Sequence, residues 1–273
     1  MMTLYSSVLL MPVLACYAAA MRKPGIGKSA YRDNITGKIA LTALKSTHQM
    51  AKVNQQLMQF PDSIKQQTCR DCLSGEALGF QIRMAFQPII DWQTKAIFGY
   101  EALVRGPQGE GAGWVFQHIN DNNKYYFDQA CRVKAIETAA RLGCSTFLHI
   151  NFLPNAVYNP ETCIKATIEA ADLYGFDLRK LIFEVTEGEQ IPDKDHLNRI
   201  FRSYAKRGFQ TAIDDYGSGY ATLDWLIELK PHILKLDMQL IRNIEQNPAK
   251  QFIVEQTIAQ CQLQGTKVLA EGI

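Results

Sequence analysis

No strong charge of either sign marks this chain. Its 29 Lys and Arg face 27 Asp and Glu, a formal +2. So even a balance supplies no polybasic patch, and it removes the electrostatic case for binding a nucleic-acid polymer. Histidine is scarce, five in 273 residues. No second cysteine pair and no His-x3-His follows the one Cys-x-x-Cys, Cys69 to Cys72, so the four ligands of a zinc site are not at hand. A thioredoxin-like site would need a βαβ setting around that pair, which is also missing. No chemistry is the leading reading of the pair, with a shared metal or redox site or a disulfide as alternatives. The seven cysteines are odd in number and mostly sit in apolar or helical surroundings. That fits free thiols in a reducing compartment better than a disulfide framework.

Long apolar runs are absent except at the start. Residues 1–21 are almost uncharged, and Arg22 and Lys23 follow at once. A secretory signal carries its positive charge before the apolar run, not after it. The run is long enough to span a bilayer, and its basic C-terminal flank would keep the rest cytoplasmic. Residues 1–23 are therefore read as a candidate inner-membrane anchor. A buried or amphipathic helix, or an upstream extension of the reading frame, is the alternative. Residues 24–80 are polar and irregular, with one helix expected near 39–60, and read as a linker or partial regulatory region.

From Met84 onward the pattern changes. The chain is 47% apolar, enough for a sizeable core, and strand-like runs now alternate with helical ones. Strands are expected at 84–89, 96–104, 146–152, 181–186, 210–214, 233–236 and 267–270. Helices are expected at 125–142, 161–174, 193–207, 221–228 and 249–264. Only Asp91-Trp92-Gln93-Thr94-Lys95 separates the first two strands, too short for a helical crossover, so they should pair antiparallel. The rest keeps a β–α rhythm. The fold expected is α/β, a TIM-like barrel with an antiparallel first strand and seven visible strands.

Six of these runs end in a polar or acidic cluster. They contain Glu101, Asn151, Glu184, Asp214 with Asp215, Lys235 and Glu271. In a TIM barrel the site lies where strands run out at their C-terminal ends. Carboxylate and amide oxygens suit Mg²⁺ or Mn²⁺, not zinc. Adjacent Asp214 and Asp215 repel each other unless cations lie near, and such a pair can serve two metals. His149 shares a strand face with Asn151 and is read as structural rather than ligating.

At this point the chain resembles a known family. Glu101-Ala102-Leu103 is similar to the signature of EAL-domain phosphodiesterases, which hydrolyse cyclic di-GMP. The likeness extends over residues 81–273. It takes in Phe86-Gln87-Pro88-Ile89, Val104-Arg105, Asn151, Glu184-Val185-Thr186-Glu187, Asp214-Asp215-Tyr216-Gly217-Ser218-Gly219, Leu234-Lys235-Leu236-Asp237 and Ala270-Glu271-Gly272.

The resemblance implies metal ligands at Glu101, Asn151, Glu184, Asp214, Asp215 and Glu271, with the aspartate pair between two Mg²⁺ or Mn²⁺ ions. It implies that Lys235, Asp215 and Glu271 act in catalysis, Lys235 by orienting the attacking water. Gln87, Leu103 and Arg105 would contact substrate, and Glu187 would steady the loop after the Asp-Asp strand. The expected partner is cyclic di-GMP, and a homodimer through this domain is expected as well. Family members continue beyond the segment that ends here at Ile273, with a helix, an eighth strand carrying a glutamine, and a closing helix. A truncated barrel with two unpaired edges is therefore expected, with impaired turnover. An inactive module that binds cyclic di-GMP or a protein partner is the alternative function.

Overall fold

The runs of Ile, Leu, Val and Phe become the strands of a closed barrel in the computed structural model, which describes residues 8–11, 78–186, 193–218 and 223–273. The strands are β1 (Val8–Met11), β2 (Arg83–Asp91), β3 (Ile97–Arg105), β4 (Phe147–Asn151), β5 (Leu181–Thr186), β6 (Gln210–Tyr216), β7 (Ile233–Leu236) and β8 (Lys267–Ala270). Each strand pairs with its sequence neighbours, and β8 returns to β1. From β3 to β8 every pair is parallel. The β2–β3 pair is antiparallel, as the five-residue connection requires. Asp91 builds that turn, its Oδ1 accepting from the backbone N–H of Gln93 at 2.8 Å and of Thr94 at 3.0 Å.

Seven strands come from residues 83–270, as expected. The two bare edges do not occur. Val8–Met11 lies between β2 and β8, parallel to the first with Val8 opposite Ile89, and antiparallel to the second with Leu10 opposite Leu269. β1 thereby covers Ile89–Asp91 of β2 and Val268–Ala270 of β8, which reduces the hazard of an open edge there. Within the apolar N-terminal run, Val8–Met11 is a strand. The rest of that run, the expected helix near 39–60, and Cys69 and Cys72 lie outside the described residues. Among the described residues, no helix is long and apolar enough to cross a membrane.

The parallel strands are joined by α1 (Lys124–Arg141), α2 (Lys165–Tyr174), α3 (Lys194–Lys206), α4 (Leu223–Leu229) and α5 (Pro248–Gln264). The helix expected at 161–174 is broken: Pro160–Cys163 forms a separate turn, capped by the Asn159 side chain. The large outer core packs α1–α5 residues such as Ile136, Ala170, Ile200, Leu226 and Ile258 with the outward residues of the strands. Inside the barrel a second cluster of Ile89, Ile182, Ala212, Ile233 and Leu269 forms a floor, with Phe98 and Phe147 against it. Gly99 is required where β3 passes β4, because a Cβ there would stand 2.6 Å from the Phe147 carbonyl oxygen.

Candidate active site at the strand ends

Side chains alternate faces along a strand, so the residue two places beyond each floor residue also points inward. Counting from Ile182, Ala212, Ile233 and Leu269 gives Glu184, Asp214, Lys235 and Glu271, all one level nearer the C-terminal ends. Glu101 joins them from β3, and Gln87 is its register partner on β2. An apolar floor thus carries a charged layer directly above it.

Lys235 is the centre of that layer and is 1% exposed. Its Nζ lies 3.1 Å from Glu101 Oε2, 3.0 Å from Glu184 Oε2, 2.8 Å from Asp214 Oδ1 and 3.1 Å from Glu271 Oε1. Burial alone would lower the lysine pKa, but the surrounding carboxylates outweigh it and hold it well above its ordinary value. Lys235 therefore stays an ammonium. It can orient and stabilise charge, but it is no proton acceptor.

The carboxylates are shifted the other way. Burial pushes Glu184 up to about 7 and Glu271 up to about 8, against the pull of Lys235. Burial, then the neighbouring Asp214, lifts Asp215 to about 6. Glu101 is raised as well, chiefly by burial. Five carboxylates around one ammonium carry more negative charge than the pocket can hold without protons or further cations.

Asp214 and Asp215 should face opposite sides of a regular strand. They converge because Asp215 takes a left-handed backbone, φ 55°, and the β6–β7 register shifts between Ile213 and Tyr216. The Asp215 N–H donates to Asp214 Oδ1 at 2.9 Å. Among the described residues two acidic groups result, each with ligand oxygens within 4.8 Å of one another: Glu101, Glu184 and Asp214, and then Asp214, Asp215 and Glu271. Asp214 belongs to both.

Asn151 ends β4 in register with Glu184. Its Nδ2 donates to Glu101 Oε1 at 3.0 Å, which leaves its Oδ1 buried with no hydrogen-bond partner among the described residues. An unpartnered amide oxygen beside five carboxylates is a donor set that fits a hard divalent cation. His149 lies one step below on the same strand face. Burial, then the Lys235 charge, lowers it to about 3, so its ring is neutral. Its Nδ1 is hydrogen-bonded to Glu184 Oε1, orienting that carboxylate in the manner of a residue behind a metal ligand.

Leu103 and Arg105 continue the Glu101 face of β3 to the strand end, and Arg105 Nη1 donates to the Val104 carbonyl at 2.7 Å. Glu187 and Gly219 lie outside the described residues. Sequence reading passed over Asp128 and Arg132, a buried pair behind Asn151. Their only signal was an i, i+4 spacing that most helices use at the surface.

The EAL domain model matches residues 73–273. The blue light- and temperature-regulated antirepressor BluF of Escherichia coli is 26% identical over 190 residues, 69% of this chain and 47% of that protein. A cyclic di-GMP phosphodiesterase of Pseudomonas aeruginosa is 29% identical over 222 residues, 73% of this chain and 35% of that one. The chain thus spans about half the length of the first and about a third of the second. Among solved structures, a standalone EAL protein of Vibrio cholerae in its cyclic di-GMP-bound form has a TM-score of 0.70 at 49% identity, covering 72% of this chain and 83% of that one. The manganese and cyclic di-GMP complex of Klebsiella pneumoniae BlrP1 has a TM-score of 0.67 at 30% identity, covering 73% and 51%.

Proposed function

Because this chain belongs to the EAL domain family, we propose that it hydrolyses cyclic di-GMP to linear pGpG with two Mg²⁺ or Mn²⁺ ions. The observation that carries this reading is the pair of acidic groups sharing Asp214 around Lys235. Glu101, Asn151, Glu184 and Asp214 would hold one ion, and Asp214, Asp215 and Glu271 the other. Such ions supply a water of lowered pKa and countercharge for the phosphodiester.

The chain's own residues set the geometry. Lys235, held as an ammonium by its carboxylates, hydrogen-bonds the attacking water and keeps its lone pair toward phosphorus. The water oxygen bonds to phosphorus while the bond to one ribose 3′-oxygen breaks. That oxygen leaves as a hydroxyl with a proton given up by the water, and the water oxygen remains on the 5′-phosphate. Arg105, at the mouth of the barrel, suits a phosphate oxygen through its planar fork. Gln87 and Leu103 line the same approach.

The test is incubation of the full chain with cyclic di-GMP and Mn²⁺, followed by chromatography for pGpG. Asp215→Ala and Glu101→Ala should abolish the product and leave the protein soluble. If either variant keeps full activity, the assignment fails. Cyclic di-GMP binding with no pGpG formed would instead establish a receptor module.

A further inference from the structure

Behind the metal-binding residues, on the outer side of the sheet, lies a charged pair that the proposed reaction does not use. Asp128 and Arg132 sit one turn apart on α1, 2% and 0% exposed. Arg132 Nη2 is 2.6 Å from Asp128 Oδ2. Arg132 Nη1 donates to the Tyr204 hydroxyl on α3 at 3.1 Å. Asp128 Oδ1 accepts the backbone N–H of Leu153 at 2.9 Å. The guanidinium also stands 5.5 Å from the ring centres of both Phe152 and Phe183.

These contacts fall at chosen places. Phe152 directly follows Asn151, and Phe183 directly precedes Glu184. Alternation along the strands sends both rings outward while Asn151 and Glu184 face the site. The backbones are tied as well, since Phe152 N–H donates to the Glu184 carbonyl at 3.0 Å. One buried cation therefore braces the end of β4 and the middle of β5 from behind. A buried ion pair is a poor source of stability, and apolar residues of equal volume often do as well. Apolar residues could not accept the Leu153 N–H or set a charge against both rings.

We propose that Asp128, Arg132 and Tyr204 are positioning residues for the metal site, setting the angle and spacing at which Asn151 and Glu184 present their oxygens. This rests on the metal-dependent reading above. Residues that orient ligands from outside the ligand shell typically change metal affinity about 10–100-fold. Removing one charge alone would strand its partner, so the test variant is the neutral double substitution Asp128→Asn with Arg132→Met.

Mn²⁺ affinity is measured by titration calorimetry on the full chain, with melting in EDTA recorded alongside. The control is Leu197→Ala, a cavity two turns away on α3 in the outer core, which lowers stability without touching the pair. The double variant should bind Mn²⁺ about tenfold more weakly, and the control should bind like the parent. Affinity within twofold of the parent in a folded double variant overturns the proposal, as does an equal loss in the control. Should the double variant not fold, Tyr204→Phe decides. It removes the hydroxyl that holds Arg132 and should weaken Mn²⁺ about tenfold, the low end for a ligand-orienting residue; unchanged affinity overturns the proposal. If the parent itself takes up no Mn²⁺, the metal-dependent reading falls first, and this one with it.

Discussion

Lys235→Met keeps the length of the side chain and removes its charge. The ammonium lies 2.8–3.1 Å from four carboxylates. A unit-charge pair about 3 Å apart is worth about 5 kcal/mol at an effective dielectric near 20. Desolvation opposes that gain, and losing one partner of a buried pair costs about 3–5 kcal/mol. The carboxylates can limit the damage by taking up protons. Glu184 and Glu271 already stand at about 7 and about 8 with the lysine present, and both climb further without it. The expected loss in EDTA at pH 8 is therefore the lower end, about 3 kcal/mol, or a melting point about 6–12 °C lower. The deficit should shrink toward pH 5, where protons replace the missing charge. Under the proposed metal-dependent function it should also shrink with millimolar Mn²⁺, as for any ligand of the folded state alone. Scanning fluorimetry from pH 5 to 9, in EDTA and in Mn²⁺, reads all three effects. A variant that melts within about 2 °C of the parent in EDTA at pH 8 refutes the reasoning.

Other expectations follow from the same geometry. Asp215, Glu184 and Glu271 have folded pKa values of about 6, 7 and 8, above those of an unfolded chain. Their contribution to metal-free stability is full below the unfolded values and is lost as pH rises to about 8. Mn²⁺ must displace those protons, so its affinity should rise over the same window and level off above it; calorimetry in two buffers counts the protons released. Gly99→Ala sets a Cβ against the Phe147 carbonyl at 2.6 Å and should cost about 1–3 kcal/mol, seen in denaturant melts. Leu10→Pro takes a backbone donor from a strand paired on both sides. It should speed amide exchange in Val268–Ala270 and lower the melting point; unchanged exchange there would remove β1 from the barrel.

How much of this could be read from the residues differs by level. Strands buried on both faces are continuous apolar runs, so β5, β7 and β8 were placed to the residue, and Asp91–Lys95 forced the antiparallel start. The acidic ends were visible because each broke such a run. The meeting of Asp214 with Asp215 was not, since alternation predicts opposite faces and only a left-handed φ overturns it. Val8–Met11 sits in a run with no clear period, where strand and helix look alike. Asp128 and Arg132 carry an ordinary helical spacing, and nothing in a linear pattern says that they point inward.

The closure of the barrel by β1 also bears on the order of events in folding. Met11 pairs with Val268, so one seam joins residues from opposite regions of the chain. A ribosome releases Val8–Met11 long before β8 exists. Until then the strand has only β2 to hold it, and the ring cannot shut. Contacts of such sequence separation are formed late and slowly. Ring closure is therefore expected to be a distinct late phase of refolding, and Glu271, next to the seam, should gain its final position only in that phase.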